Sequence, residues 1–183
     1  MSVTVRPATE RDLAKLAGLD YTYPTGRLLS LQRSGDAPEL TFSFRWREAK
    51  PSEALYGDYT VESLRRALTR ADLFIVAELD RHLAGLLMVL LPTYTDAGEI
   101  TDFAVHRPLR RRGVGRALVD AAADWAKERK LRALWVEPRA DNAEAIEFYL
   151  RLGFRISGFN DRMYSNRNHE DGRPTVYMYL EVG

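Results

Sequence analysis

The sequence predicts a single mixed α/β domain, and three observations carry this prediction. The chain has 183 residues, a length that suits one domain with a buried core. Short apolar segments with the two-residue period of strands alternate with amphipathic segments of helical period. Turn and capping residues separate these segments, and no internal repeat or linker interrupts them. In chain order they predict β-α-α-β-β-β-α-β-α-β, with an additional strand in the first third of the chain.

Composition narrows the class of protein. A net charge of +1 and 45% hydrophobic residues are ordinary for a soluble globular protein, and no overall field would attract nucleic acid. The longest apolar run, residues 83–91, is too short to cross a membrane, and the first residues lack the features of a signal peptide. We therefore expect a cytoplasmic protein. The chain has no cysteine and only three scattered histidines, which argues against disulfides, a thiol nucleophile and a metal site.

The first predicted strand and helix open the chain. Residues 3–6 alternate as a strand does, and Pro7 ends the strand. Thr9 can cap the following helix, with Asp12 as its capping-box partner. The next forty residues are less regular, but residues 40–47 alternate strictly between apolar and polar side chains. We expect an additional, half-buried strand there.

A second helix and three strands occupy the middle of the chain. Thr60 can cap this helix, in which apolar side chains recur with the helical period. Apolar segments then predict strands over residues 73–78, 83–91 and 99–105. The second of these is nearly all apolar, so we expect both of its faces to be covered.

A third helix is predicted from Gly113 to about Lys130. Its expected buried stripe is Val114, Leu118, Ala121, Ala122 and Trp125. Residues 131–137 contain the next strand.

A fourth helix and the last strand complete the chain. Asp141 with Glu144 forms a capping box for this helix, which ends at Gly153. Residues 175–180 form the final strand.

The turn between the strand at 99–105 and the third helix has the composition of a phosphate site. Residues 110–118 contain Gly113 and Gly115, which allow the backbone N–H groups to approach an anion closely. The start of the helix adds the positive end of its dipole. The candidate phosphate contacts are Arg110, Arg111, Arg112, Gly113, Val114, Gly115 and Arg116. Several arginines at a helix start oppose the dipole, so a bound anion is their simplest explanation.

The spacing of this turn selects among phosphate motifs. It lacks the Lys-Ser/Thr pair of a P-loop, and Leu118 stands where a dinucleotide fingerprint needs glycine. It also lacks the interleaved aromatic residues of single-strand nucleic-acid binders. What remains is R-x-x-G-x-G, formed by Arg110, Gly113 and Gly115. This pattern resembles the acyl-CoA pyrophosphate loop of the GNAT superfamily, the Gcn5-related N-acetyltransferases.

A second motif strengthens the resemblance. Residues 135–149 read WVEPRADNAEAIEFY, and Leu152, Gly153 and Phe154 follow. The segment is similar to the GNAT pattern V-x-x-x-N-x-x-A-x-x-F-Y-x-x-x-G-F. The resemblance covers the whole chain except residues 21–59. It implies one GNAT domain over residues 1–183, with a mostly antiparallel central sheet flanked by helices and an acceptor-side insertion at about 21–59.

The resemblance also implies the cofactor and the residues that bind it. Acetyl-CoA would be the co-substrate, with no metal. Residues Phe103, Ala104 and Val105 would hold its pantetheine arm through backbone hydrogen bonds, as an added strand would. Asn142 would meet the same arm, because Asp141 is the better capping residue and leaves Asn142 free; the alternative is that Asn142 only caps the helix.

Catalytic roles follow from what amine acetylation requires. Tyr149, the tyrosine of the F-Y pair, would donate a proton to the departing thiolate; the alternative is a buried aromatic with a packing role. Glu99, Asp102 and Glu137 are candidates for the general base. Glu99 and Asp102 are three residues apart, so on a regular strand they face opposite ways. Only one of these two would then see the acceptor unless a bulge intervenes.

The acceptor is the least determined part of the prediction. Residues 158–164, together with Asp102, are similar to streptothricin acetyltransferases, whereas residues 135–149 are equally similar to ribosomal-protein alanine N-acetyltransferases. Aromatic residues in 21–59 suit a cationic amine. We expect a small cationic amine or antibiotic, with a protein N-terminus as the alternative and a non-catalytic acyl-CoA-binding module as a third hypothesis. Neither nucleic acid nor a membrane is an expected partner, although nucleic-acid binding through the arginine run stays as a competing hypothesis, and a homodimer is left open.

Overall fold

The computed structural model describes residues 2–57, 59–164 and 173–183. Its strands are β1 (Val3–Pro7), β2 (Thr22–Pro24), β3 (Arg27–Ser34), β4 (Thr41–Glu48), β5 (Glu53–Leu55), β6 (Leu73–Leu79), β7 (His82–Leu90), β8 (Ala97–Val105), β9 (Ala133–Val136), β10 (Arg155–Asn160) and β11 (Thr175–Glu181). The helices are α1 (Leu13–Ala17), α2 (Val61–Arg70), α3 (Val114–Glu128) and α4 (Ala143–Arg151). Across the described ranges, none of these helices combines the length and the apolar character needed to cross a membrane.

The chain divides into two compact units. The first unit comprises Met1–Thr22, Leu55–Val136 and Leu180–Gly183. The second unit comprises Tyr23–Ala54 and Glu137–Tyr179. Most of the predicted insertion at 21–59 therefore falls in the second unit.

The first unit contains a mixed, mostly antiparallel sheet, as predicted. Its strands lie in the order β1-β6-β7-β8-β9, and each neighbouring pair is antiparallel except β8 and β9, which are parallel. Asp80 and Arg81 adopt positive φ angles in the two-residue turn between β6 and β7. This conformation matches the twist of a tight hairpin.

Helices cover both faces of this sheet. Leu86 and Met88 of β7 belong to a buried cluster with Leu13, Leu16 and Leu64 from α1 and α2. Gly85 faces the opposite side, because a Cβ atom there would lie 3.4 Å from the side chain of Leu118 on α3. Residues 84 and 86–89 are at most 2% exposed, which confirms that β7 is covered on both faces.

The second unit contains two antiparallel strand pairs and α4. β3 pairs with β4 along their full length, and β10 pairs with β11 with one irregularity between Ile156 and Gly158. β4 confirms the predicted additional strand, but the expectation that it is half-buried is wrong. Phe42 and Trp46 are 41% and 37% exposed, because β3 is the only strand that pairs with β4 in the described part of the chain.

The buried stripe of α3 differs from the predicted one at four positions. Val119 and Ala126 are buried, whereas Ala121 and Trp125 are only partly so. The Arg129 guanidinium lies 4.3 Å from the centre of the Trp125 ring, so this side chain covers part of the indole near the surface. A large aromatic ring at the edge of a stripe need not point into the core when a cation can pack on its face.

Candidate active site

A β-bulge at Thr101 sets the direction of the acidic side chains on β8. In the ladder between β7 and β8, Met88 lies opposite Asp102, whereas Val89 lies opposite Ile100. Thr101 is therefore an extra residue on β8. Such a bulge interrupts the simple alternation of side chains along the strand.

The bulge brings two candidate bases onto one face of the sheet. Glu99 lies opposite Leu90, and Asp102 lies opposite Met88. Leu90 and Met88 are two residues apart on β7 and share a face, so Glu99 and Asp102 share it as well. The strand is not regular here, so the exception stated for a bulge applies and the two carboxylates do not face opposite ways.

The pairing between β8 and β9 ends after the first three residues of β8. The parallel ladder covers only residues 97–99, whereas the ladder with β7 continues to Val105. The stretch proposed to hold pantetheine, residues 103–105, therefore lies where β8 and β9 are no longer paired. A ligand that hydrogen-bonds to a strand as an added strand would needs main-chain groups that are not already paired with a neighbouring strand.

β8 leads through a short 3-10 turn, Arg107–Leu109, to an open helix start. Gly113 is the N-cap of α3 with a φ of 85°, a left-handed conformation that favours glycine, and this residue has no side chain that could cap the helix. A Cβ atom at Gly113 would meet no heavy atom within 4 Å among the described residues. The N–H groups at this end have no acceptors within the helix and can bind an anion.

The arginines near this turn have different positions. Arg110 donates from Nε to the Val105 carbonyl oxygen at 3.1 Å, which ties the turn to the end of β8. Arg111 and Arg112 are exposed on the turn, and Arg116 is exposed on α3. The first turn of α3 has no acidic residue, so these cations stand beside a positive helix end that a bound anion would stabilise.

Asp102 contacts a residue from the aromatic segment before α2. The Tyr59 hydroxyl donates to Asp102 Oδ1 at 2.9 Å. Burial raises the pKa of Tyr59 well above its ordinary value, and Tyr56 and Asp102 raise it further. Sequence reasoning groups Tyr59 with the other aromatic residues of 21–59, and no local signal distinguishes it, because its partner is 43 residues away.

Tyr149 lies on the buried side of α4. It is 5% exposed, and its ring centre is 5.5 Å from that of Phe148 and 5.1 Å from that of Phe154. These contacts hold the ring in place through its apolar faces. They fit either the packing role or the proton-donating role, and the latter stays a prediction.

The cap of α4 differs from the predicted one. The Asn142 side-chain oxygen accepts a hydrogen bond from the Ala145 N–H at 3.1 Å. Asp141 instead forms two hydrogen bonds with Arg139, at 3.1 Å and 2.7 Å. The expectation that Asp141 caps the helix and leaves Asn142 free is wrong, because Arg139 offers Asp141 a bidentate charged partner. The cap uses the Asn142 oxygen, so a contact with pantetheine would fall to its amide nitrogen.

Glu137 is a partly buried carboxylate in the second unit. Burial raises its pKa, and a hydrogen bond with Thr175 offsets part of this effect. Its Oε1 atom is buried and has no hydrogen-bond partner among the described residues. Both observations favour proton uptake, although its role as general base stays a prediction. No group of three or more His, Asp or Glu side chains in the described ranges could hold a metal ion.

Comparison with known proteins identifies the family. The model of the acetyltransferase (GNAT) family matches residues 38–154. The streptothricin acetyltransferase of Streptomyces lavendulae is 29% identical over 180 residues, which are 96% of this chain and 93% of the relative. The [ribosomal protein bS18]-alanine N-acetyltransferase of Salmonella typhimurium is 36% identical over 88 residues, which are 48% of this chain and 57% of the relative.

A solved structure shows the same fold over the full chain. The crystal structure of nourseothricin acetyltransferase matches with a TM-score of 0.82 and 26% identity, covering 100% of both chains. These likenesses confirm the predicted fold, and they favour an enzyme over a non-catalytic acyl-CoA-binding module. The chain belongs to the acetyltransferase (GNAT) family, whose acyl donor is acetyl-CoA.

Proposed function

We propose that the chain transfers the acetyl group of acetyl-CoA to a primary amine of a small cationic acceptor, by direct attack in a ternary complex. The observation that carries this proposal is the end of the β8–β9 ladder at Glu99, followed along the chain by the open start of α3. The acceptor class is supported by the Streptomyces lavendulae relative, whose name specifies streptothricin and whose likeness extends over 96% of this chain.

Donor binding is assigned to β8 and the start of α3. Main-chain groups of residues 103–105 hold the pantetheine arm in the manner of an added strand. N–H groups of residues 113–116 bind the pyrophosphate, and Arg111 and Arg112 supply positive charge. The amide of Asn142 adds a polar contact to the pantetheine arm.

The reaction forms a C–N bond and breaks the C–S bond of the thioester. An alkylammonium has a pKa of about 10, so the acceptor must lose a proton before it can attack. Glu99, Asp102 and Glu137 are the candidate proton acceptors, directly or through water. Tyr149 donates a proton to the sulfur that leaves, so that free thiol is released.

A thiol-release assay with acetyl-CoA tests the acceptor class. The panel comprises streptothricin, aminoglycosides, polyamines, amino acids and peptides with free N-termini. We expect the highest kcat/KM with streptothricin or another small polycation. The highest kcat/KM with a peptide would favour the alternative, a protein N-terminal acetyltransferase. The likeness to the Salmonella relative supports this alternative. Absence of thiol release with every amine would contradict the proposal.

A further inference from the structure

Asp102 differs in its partners from Asp12 and Asp141, which are 6% and 8% exposed. Asp12 pairs with Arg6 and Asp141 pairs with Arg139, each at 2.7 Å. Asp102 is half-buried, yet no cationic side chain of the described residues pairs with it. Removing a carboxylate from water without a cation is costly, so such a group suits a ligand that supplies the charge.

One oxygen of Asp102 is already engaged. The Tyr59 hydroxyl donates to Oδ1. Among the described residues, no other hydrogen bond to the Asp102 side chain is present. A carboxylate has two oxygens and about four acceptor positions. Oδ2 therefore retains its capacity to accept from an ammonium group.

Aromatic contacts hold Tyr59 in this position. Its ring centre lies 5.1 Å from that of Tyr21 in an edge-on arrangement and 6.3 Å from that of Tyr56. The Tyr21 hydroxyl donates to the Leu16 carbonyl oxygen at 3.0 Å, which anchors that ring in the core. The Tyr56 hydroxyl lies 3.5 Å from the carbonyl oxygen of Thr101, the bulged residue. The aromatic segment thus meets β8 at the bulge.

We propose that Tyr59 is a positioning residue for the acceptor: its hydroxyl orients Asp102 so that Oδ2 receives the ammonium group of a cationic acceptor beside the rings of Tyr56 and Tyr59. This inference rests on the proposed function and names the residue pair that selects a cation. The reactive amine must be unprotonated, so the recognised ammonium is a second amino group of the acceptor.

A phenol is suited to this task for an electrostatic reason. Arginine would orient the carboxylate and also neutralise it, whereas a neutral hydroxyl orients it and leaves its negative charge available to the ligand. Burial keeps the Tyr59 hydroxyl protonated, so it remains a donor. The faces of aromatic rings attract cations as well, which adds to the preference for a polyamine-like acceptor.

The test measures acceptor binding without turnover. Isothermal titration of streptothricin into enzyme saturated with CoA is carried out for the wild type, Tyr59→Phe, Asp102→Asn and the double variant. We expect Tyr59→Phe to weaken streptothricin binding about tenfold, because a hydrogen bond to a charged group is lost while the ring is kept. The double variant should bind no more weakly than Asp102→Asn alone, since Tyr59 acts through Asp102.

Two further measurements separate positioning from general stability. In steady-state assays Tyr59→Phe should raise the KM for streptothricin while the KM for acetyl-CoA changes less than twofold. Tyr94→Phe removes a hydroxyl at a site that is 82% exposed and should leave every constant unchanged. Melting temperatures confirm that all variants are folded at the assay temperature.

Specific outcomes overturn the inference. They are streptothricin binding by Tyr59→Phe within twofold of the wild type, or losses that multiply in the double variant. If the wild type acetylates streptothricin and Tyr59→Phe does so with the same KM, this inference fails alone. If the wild type neither binds nor acetylates any cationic amine of the panel, the proposed function fails with it.

Discussion

The N-termini of α3 and α4 differ in how their backbone N–H groups are provided with acceptors. Each helix start has backbone N–H groups without acceptors inside the helix. α4 is closed by its own sequence: the Asn142 side chain accepts from Ala145, and Glu144 adds negative charge in the first turn. α3 is left open: Gly113 offers no cap, and no acidic residue lies in the first turn.

This difference supports the proposal that the start of α3, and not the start of α4, binds an anion. A positive helix end surrounded by arginines is favourable only when negative charge comes from outside. α4 needs no such partner, because its own residues supply both the cap and the charge. Substitutions at the start of α3 should therefore change donor affinity most, whereas substitutions at α4 should mainly change turnover or stability.

The largest effect is expected from closing the open helix start. Gly113→Asp places a carboxylate where the pyrophosphate would bind, and we expect the CoA affinity to fall about hundredfold by titration calorimetry, since like charges a few ångströms apart near a surface repel by a few kcal/mol. Gly113→Ala is the matched control. It carries the backbone strain of about 1 kcal/mol without the charge, in open space, and should bind CoA far better. Wild-type affinity in Gly113→Asp would contradict the assignment.

The start of the 3-10 turn Glu10–Asp12, which precedes α1, offers a stability test. Asp12 accepts a hydrogen bond from the Thr9 N–H at 2.8 Å, and the guanidinium of Arg6 lowers the pKa of Asp12 to about 2. The folded pKa lies below the unfolded value of about 4, so the stabilisation is complete above pH 4 and is lost as pH falls towards 2. Asp12→Asn should lower the free energy of unfolding by about 2 kcal/mol at pH 7.

Urea denaturation at several pH values checks this prediction. The difference between Asp12→Asn and the wild type should shrink between pH 4 and pH 2. Asp124→Asn is the control, because Asp124 is exposed and lies 3.8 Å from Lys127, so its removal should cost under about 0.5 kcal/mol. A pH-independent difference would show that the ion pair with Arg6 is not the source of the stability.

Tyr149→Phe tests whether α4 contributes to turnover. Loss of the hydroxyl should lower kcat about tenfold, because a proton donor to the thiolate is removed, while the ring contacts with Phe148 and Phe154 are kept. The affinity for acetyl-CoA should stay within twofold of the wild type. Stopped-flow thiol release gives the first measurement and titration calorimetry the second. An unchanged kcat would assign Tyr149 to packing alone.

The smallest effect is expected at the closed helix start. Asn142→Ala removes the cap and should lower the free energy of unfolding by about 1 kcal/mol. Asn142→Ser keeps a capping oxygen and lacks the amide nitrogen, so it should retain stability and bind acetyl-CoA several-fold more weakly. Thermal melts and acetyl-CoA titrations on both variants separate the two roles. Wild-type affinity in Asn142→Ser would leave Asn142 with the cap alone.

Elements with local signals could be predicted from the sequence. The capping box of Thr9 and Asp12, the apolar strand β7 and the glycine turn before α3 each depend on neighbours along the chain, and the structure contains all three. β3 could not be predicted in the same way. Leu28, Leu29 and Ser30 are buried in succession, so the strand shows no two-residue period.

The misjudged parts of the candidate site depend on partners that periodicity does not reveal. The bulge at Thr101 arises in the ladder with β7, and it places Glu99 and Asp102 on one face. Asp141 is drawn away from the helix start by Arg139, which a capping pattern alone does not take into account. Each case is a competition between a local preference and a stronger contact with another side chain or strand.

By itself the sequence determined the family and the acyl donor, because the spacing of two glycines, a run of arginines and an F-Y pair is typical of that family. Only the tertiary structure decided which residues surround Asp102. It brought Tyr59 to Asp102 across 43 residues and placed that contact at a bulge. The physical reason is the separation along the chain of the residues that determine each feature. Adjacent residues order the backbone N–H groups at a helix start, whereas the orientation of a carboxylate depends on the residues that the fold packs beside it.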